Sequence, residues 1–283
     1  MKNKILVTGA TGNVGSEIMR LLPIENARAA DINMERMRTL FGADADCVTF
    51  DFARPETYTA ALTDVSRIFL LRPPSISDVP KYIEPFLDAA KSAGVELIVF
   101  LSIQGVENNR FVPHYKIEQA ILARDMPYTF LRCGFFMQNL STTHRAEIRE
   151  RGVIDVPAGK SKTSFIDVRD IAAVTAKVLA EDGHRNRIYT LTGSDALDYF
   201  AVAGIMTDVL GKPIRYTNPS IPSFVYHQRQ QGRDWGMTLV MTMLYTITRF
   251  GNASSVTTDV ARLTGRTPIP FRQFVTDYRE AWV

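Results

Sequence analysis

Runs of apolar residues separated by amphipathic stretches dominate the first half of the chain. Ile5 to Thr8 reads as a short buried strand. A glycine turn follows, then a helix with Val14, Ile18 and Leu21 at i, i+4, i+7, stopped by Pro23. Ala27 to Asp31 predicts the second strand and Ile32 to Phe41 the next helix. Cys47 to Asp51 predicts a third strand, and Arg67 to Leu71 a fourth, continuous in apolar residues as a strand buried on both faces should be. Arg72-Pro73-Pro74 then forces an extended exit. Lys81 to Ala93 carries Ile83, Phe86, Leu87 and Ala90 at helical spacing, closed by Gly94. Glu96 to Leu101 is a fifth strand ending at Ser102, His114 to Arg124 a helix, and Tyr128 to Arg132 a sixth strand.

This alternation predicts an α/β fold, a doubly wound parallel Rossmann sheet with right-handed crossovers. The rhythm changes after the sixth strand. Gly134 to Leu140 is aromatic and polar at once. The stretch 152–165 reads as loop with one short strand at Val153-Ile154. A helix from Asp167 to Ala180 and a strand from Arg187 to Thr192 return to the first pattern. Helices dominate from Asp195: Leu197 to Leu210, Ser223 to Gln230, Trp235 to Phe250, Thr258 to Leu263 and Phe271 to Tyr278, with one short strand at Pro213 to Tyr216. The expected organisation is a dinucleotide-binding domain over 1–132, completed by about 165–192, and a smaller, mainly helical lobe from 133–164 and 193–283, with substrate between the lobes.

Composition narrows the class. The chain has 283 residues, 46% hydrophobic and 22% charged, ordinary for a globular protein. A net charge of +3 without a dense basic block gives no reason to expect nucleic acid. Cys47 and Cys133 are far apart, offer no metal spacing, and read as buried free thiols suited to a reducing compartment. The longest greasy stretch, Met237 to Ile247, is interrupted by threonines and falls short of the ~20 residues that span a bilayer. The expectation is a cytoplasmic protein with no membrane partner and no metal, a homodimer being left open.

The candidate chemistry starts at Gly9, Gly12 and Gly15. Glycines at this spacing, after a strand and opening a helix, allow a tight turn, close approach of backbone to a pyrophosphate, and close helix–strand packing. The helix N-terminus offers N–H groups and a positive dipole end. Gly9, Thr11, Gly12, Asn13, Val14 and Gly15 are therefore expected to hold a pyrophosphate. Asp31, at the end of the second strand, has two readings. It accepts hydrogen bonds from the adenosine ribose and repels a 2′-phosphate, or it caps the next helix. The first reading leans the cofactor, NAD(P)H, toward NAD(H), although Arg28, Arg36 and Arg38 lie close in sequence and soften it. Ligands in such sheets lie outside the carboxyl ends of the strands. That rule adds Asp51 and Phe52 near the adenine, and Leu71, Arg72, Pro73 and Ser102 on the nicotinamide side. It places a small-molecule substrate at Gln104, Phe135, Phe136, Met137, Gln138 and Asn139.

The chain resembles the NmrA-like branch of the atypical short-chain dehydrogenase/reductase superfamily. The resemblance is carried by Val7 to Gly15 (VTGATGNVG), Phe69 to Pro74 (FLLRPP), Ala89 to Val95 (AAKSAGV), Tyr128 to Asn139 (YTFLRCGFFMQN), Phe165 to Ala172 (FIDVRDIA) and Val260 to Pro268 (VARLTGRTP). It implies an NAD(P)H-dependent oxidoreductase acting on a small, flat, apolar acceptor such as a quinone. It also admits a redox sensor that binds the dinucleotide and a partner protein without turnover, and a nucleotide-sugar epimerase. The superfamily's Ser and Tyr-x-x-x-Lys set is incomplete. Ser102 stands in the serine's place and Tyr115 on the right helix, but Gln119 replaces the lysine, Lys116 points about 100° away, and His114 falls near the lysine's place. Ser102, His114 and Tyr115 are the catalytic candidates. Each also has a plain reading, as a strand-end turn residue, a helix-start residue and a packing residue.

Overall fold

The computed structural model describes residues 3–251 and 253–283. Its strands are β1 (Lys4–Thr8), β2 (Ala27–Asp31), β3 (Asp46–Thr49), β4 (Val65–Leu70), β5 (Leu97–Ile103), β6 (Tyr128–Cys133), β7 (Phe135–Phe136), β8 (Val153–Ile154), β9 (Thr163–Ile166), β10 (Arg187–Leu191), β11 (Ala196–Leu197) and β12 (Arg215–Tyr216). The helices are α1 (Asn13–Leu21), α2 (Met34–Phe41), α3 (Tyr58–Leu62), α4 (Val79–Tyr82), α5 (Glu84–Ser92), α6 (Pro113–Leu122), α7 (Gln138–Ser141), α8 (Arg145–Arg151), α9 (Val168–Ala180), α10 (Tyr199–Leu210), α11 (Ile221–Gln230), α12 (Trp235–Arg249), α13 (Asp259–Thr264) and α14 (Phe271–Asp277). They form two compact units, Met1–Cys133 with Val168–Thr190, and Gly134–Asp167 with Leu191–Val283.

The first unit is built on a seven-stranded sheet in the order β10-β6-β5-β4-β1-β2-β3. Strand β1 pairs in parallel with β2 and β4, and the pairs β2–β3, β4–β5 and β5–β6 are parallel too. The chain therefore reverses its direction of growth between β3 and β4, which opens the carboxyl ends of β1 and β4 to a ligand. Residues 5–7, 68–70 and 97–101 of the central strands are apolar and buried because both faces are covered. Helices α1 and α9 pack on each other. Residues of α3, α5 and α6 share one core cluster with β4, β5 and β6. That cluster ends in an aromatic knot. Phe86 on α5 meets Phe50 at 4.9 Å and Phe52 and Tyr58 each at 5.4 Å, all in edge contacts.

The second unit has its own core, in which Phe165, Tyr199, Phe224, Phe274 and Trp282 are buried. Its sheets are small: β7 lies parallel to β9, β11 antiparallel to β9, and β8 parallel to β12.

Several elements differ from the reading of the sequence. The single helix over Lys81 to Ala93 is two, because Pro85 has no N–H for the carbonyl of Lys81, and the helix restarts at Glu84. Ser102 lies inside β5, which runs on to Ile103. The loop expected over 152–165 contains β9, whose Thr163-Ser164 start hid a fully buried strand. Helix α8 went unseen because its charge-rich sequence buries only Glu147 and Ile148. Cys133 is buried but Cys47, on edge strand β3, is half-buried. No helix among the described residues is long and apolar enough to cross a membrane.

Truncating Phe86, whose ring is wholly buried, should cost about 3–5 kcal/mol of stability. It should also loosen Phe52, so chemical denaturation and dinucleotide titration of Phe86→Ala should weaken together. A variant that loses stability while keeping the affinity would show that the knot does not support the site.

Candidate functional site

The carboxyl end of β1 turns at Gly9, whose φ of +64° lies in the left-handed region that glycine tolerates. The turn is tight: Gly12 N–H donates to the Gly9 carbonyl at 3.0 Å, and Gly12 caps α1. A Cβ at Gly9 would meet Leu71 Cδ2 at 3.0 Å, and one at Gly15 would stand 2.3 Å from the Gly9 oxygen. Gly15 thus brings α1 down onto the turn, while Gly12 and Asn13 stay exposed at the helix start. The buried Thr8 hydroxyl accepts from Leu71 N–H at 2.9 Å and reaches the Phe69 carbonyl at 3.1 Å. It ties the exit of β4 to the glycine turn.

Asp31 is bound to the same turn. Its Oδ2 accepts from Thr11 N–H at 3.2 Å and Thr11 Oγ1 at 2.9 Å, and its Oδ1 accepts from Asn33 N–H at 3.3 Å. It is not the helix cap, because Asn33 fills that place and accepts from Arg36 N–H. Beyond β3, Asp51 Oδ1 accepts from Ala53 N–H at 2.8 Å, and the Phe52 carbonyl accepts from Tyr58 OH at 2.6 Å.

These pieces enclose a cavity of about 250 Å³ lined by Gly9, Thr11, Gly12, Ala30, Asp31, Ile32, Phe50, Asp51, Phe52, Leu71, Pro73 and Pro74. The floor is backbone and apolar rings, with Asp31 and Asp51 at the edge. Such a cradle suits a nucleoside whose phosphates run to the N-terminus of α1. Of the expected cofactor residues, Gly9, Thr11, Gly12, Asp31, Asp51, Phe52, Leu71 and Pro73 come together here. Asn13, Val14, Gly15, Arg36 and Arg72 do not line this cavity. Val14 and Gly15 are buried in packing, and Arg36 is exposed on α2. Pro74, at the exit of β4, also lines it, as do Ala30, Ile32 and Phe50, which were not singled out from the sequence. Phe50 stands on the same strand exit as Asp51, so the strand-end rule could have found it.

Arg72 shapes its own loop. Its Nη1 donates to the carbonyls of Pro73 at 2.8 Å, Pro74 at 3.2 Å and Ile76 at 2.6 Å, while its buried Nε has no partner. The His114 ring stacks toward Phe100 at a centroid distance of 6.0 Å. Loss of water around the ring, with repulsion from the Arg72 guanidinium second, lowers its pKa to about 3. His114 is therefore neutral at ordinary pH. Tyr115 is half-buried on α6 and Lys116 is exposed.

Ser102 is committed elsewhere. It is buried and its hydroxyl donates to Glu118 Oε1 at 2.6 Å. Glu118 is also buried and holds Arg132 through Oε1 at 3.1 Å and Oε2 at 2.7 Å. The hydroxyl proton expected to orient a carbonyl instead satisfies a buried carboxylate.

In the second unit, Gln138 is buried and its Nε2 donates to Asp167 Oδ1 at 2.8 Å, which makes it a core residue rather than an open acceptor contact. Met137 is buried at the wall of a small cavity of about 150 Å³, with Phe165, Leu197 and Phe271. Phe135, Phe136 and Asn139 stay half-buried, and the backbone N–H of Gln104 donates to the Cys133 carbonyl at 2.9 Å. No group of metal-ligating side chains occurs among the described residues.

The profile of the NmrA-like family matches residues 1–261. An NAD(P)H azoreductase of Xenophilus azovorans is 32% identical, over 98% of this chain and 99% of its own length. The quinone oxidoreductase 2 of Escherichia coli is 26% identical, over 82% of this chain and 84% of its own. Among solved structures, the Citrobacter triphenylmethane reductase complexed with NADP(H) is 25% identical and superposes with a TM-score of 0.85, over 97% of this chain and 99% of that one.

Two outcomes follow from the geometry. Gly15→Ala forces a methyl group onto the Gly9 carbonyl and should cost at least about 1–3 kcal/mol, with loss of dinucleotide binding, read by thermal melting and calorimetry. For His114, the unfolded chain takes up a proton near pH 6.5 while the folded chain resists until about pH 3. Its contribution is complete above pH 6.5 and is lost as pH falls toward 3. Urea unfolding from pH 7 to 4 should therefore fall more steeply for the unmodified chain than for His114→Gln, by up to about 1.4 kcal/mol per pH unit. Parallel curves would contradict a ring that stays neutral.

Proposed function

The chain belongs to the NmrA-like family, and from that premise we propose that it is an NAD(P)H-dependent oxidoreductase reducing a small, flat, apolar acceptor of the quinone or azo type. The observation that carries the reading is the cavity at the glycine turn, where Thr11 and Asp31 are locked together over a floor of backbone and Phe52. A Cβ at Gly9 or Gly12 would crowd this floor, so the two glycines leave room for a phosphate beside the backbone. The names of the azoreductase and the quinone reductase support the acceptor class.

Each residue then has a part. The N-terminus of α1, with Thr11, Gly12 and Asn13, holds the pyrophosphate. Asp31 accepts from the ribose hydroxyls, and Phe52 with Asp51 borders the adenine. Because three donors fix its carboxylate, Asp31 cannot swing away from a 2′-phosphate, so NAD(H) is the preferred form. The bound dinucleotide supplies the hydride. Leu71 and Pro73 shape the wall next to it. Neutral His114 adds no positive charge to repel a cationic nicotinamide. Phe135 and Phe136 offer flat apolar faces to the acceptor. Ser102 acts through Glu118 and Arg132 to position β5 and α6. Gln119 in place of a lysine four residues after Tyr115 is no obstacle, because a quinone needs little activation beyond placement against the hydride donor.

The test is calorimetric titration with the four dinucleotides, followed by steady-state oxidation of the reduced forms with a panel of quinones and azo dyes. NADH should bind more tightly than NADPH by roughly tenfold or more, about 1.4 kcal/mol, and Asp31→Ala should erase the difference. Tighter binding of NADPH would remove the assignment of Asp31. Tight binding with no turnover on any acceptor would favour a dinucleotide sensor instead.

A further inference from the structure

One wall of the cavity at the glycine turn is the loop after β4, where Pro73 and Pro74 line it. Proline has no N–H, so each of these residues offers the backbone network only its carbonyl. One side chain takes both carbonyls. Arg72 Nη1 donates to Pro73 O at 2.8 Å, to Pro74 O at 3.2 Å and to Ile76 O at 2.6 Å. The ends of the loop are fixed by other means. Leu71 N–H donates to Thr8 Oγ1 at 2.9 Å, and Ile76 and Val79 are buried in the core cluster of the first unit. Between these anchors the Ile76 N–H closes a turn on the Pro73 carbonyl at 3.0 Å, and Arg72 gathers that turn from one side.

The charge of Arg72 is used differently from that of other arginines in this unit. Arg28 and Arg67 also collect loop carbonyls, but each pairs with an aspartate as well, Asp46 and Asp182, at 3.0 Å. Arg72 is half-buried, forms an ion pair with no carboxylate among the described residues, and keeps its buried Nε without a partner. Burial lowers its pKa, yet a guanidinium stays charged at any ordinary pH. A half-buried cation without a counter-charge is costly, and methionine would fill the same space without that cost. Methionine would also leave the carbonyls of the turn without their donor.

We infer that Arg72 is a positioning residue for the dinucleotide: it does not line the cavity, but its guanidinium holds Pro73 and Pro74 where they wall it. The inference rests on the oxidoreductase reading above and deepens it. A turn ordered before the ligand arrives need not be ordered by the ligand, so the clamp strengthens binding by lowering its entropic cost. The wall meets the dinucleotide in the ground state and the transition state alike. Loosening it therefore acts on cofactor binding more than on the chemical step. The fork of the guanidinium matters as well as its charge, because several carbonyls must be met from one direction.

The test separates the clamp from its charge. NADH affinity is measured by calorimetry for the unmodified chain and for Arg72→Ala, alone and with guanidinium or methylammonium ion added at equal, non-denaturing concentration, with thermal melting to compare folding. The affinity should fall roughly tenfold or more in Arg72→Ala, the equivalent of one charge-assisted hydrogen bond. Guanidinium should recover part of it and methylammonium should not, while neither ion strengthens binding to the unmodified chain. With menadione as acceptor, KM for NADH should rise by a larger factor than kcat falls. Unchanged affinity in Arg72→Ala, equal recovery with both ions, or a loss that neither ion repairs would overturn the clamp. If Arg72→Ala does not fold, Arg72→Met decides through its NADH affinity and the comparison of KM with kcat. If the unmodified chain binds NADH but reduces no quinone, the oxidoreductase reading fails while the affinities still decide the role of Arg72. If the unmodified chain does not bind NADH, both fail.

Discussion

The contact between Gly15 and the Gly9 carbonyl governs the arrangement of the first unit. The approach is closer than any side chain permits, since a Cβ there would stand 2.3 Å from the oxygen. It seats α1 against the end of β1 and aims the helix N-terminus across the strand ends. With the turn fixed, Thr11 reaches Asp31 on β2, and Thr8 reaches Leu71 at the exit of β4. Three strand ends are thereby held at one point. The aromatic knot of Phe50, Phe52, Tyr58 and Phe86 supports the far side, so the cavity has a rigid floor on both flanks.

Polar groups that look catalytic in sequence divide into two kinds in the fold. Ser102, Glu118 and Arg132 satisfy one another and hold β5, β6 and α6 together. Gln138 does the same with Asp167 in the second unit. His114, half-buried on α6, is neutral because partial burial and the nearby Arg72 guanidinium lower its pKa. Arg72 Nε, in the loop after β4, and Glu147 Oε2, at a pocket wall, are two buried polar atoms without a partner; Thr163 Oγ1 on β9 and the Gln228 amide on α11 are others.

The parallel sheet was legible because its strands are apolar on both faces and its crossovers are amphipathic. Periodicity of that kind survives without knowledge of partners. The cavity at the strand ends was legible for a related reason, since strand ends of a doubly wound sheet converge wherever the sheet reverses. Asp31 and Phe52 follow from counting strands. Other features depended on contacts distant in sequence. β9 begins with Thr163 and Ser164, buried by pairing with β7 and β11 and by the core of the second unit. A buried hydrogen bond joins His144 to Tyr245, which lie far apart in the chain with no local motif to announce them. The Gln138 side chain turned inward for an acid on another element.

The central claim is that the cavity beneath the glycine turn is where a dinucleotide is held. A crystal structure of the chain grown with saturating NADH tests it most directly. The account predicts phosphate oxygens against the N-terminus of α1 at Gly12 and Asn13, the adenosine ribose within hydrogen-bond distance of Asp31, and the adenine in the cavity beside Phe52 and Asp51. A dinucleotide bound away from the glycine turn, or a cavity that stays empty at saturation, would contradict it.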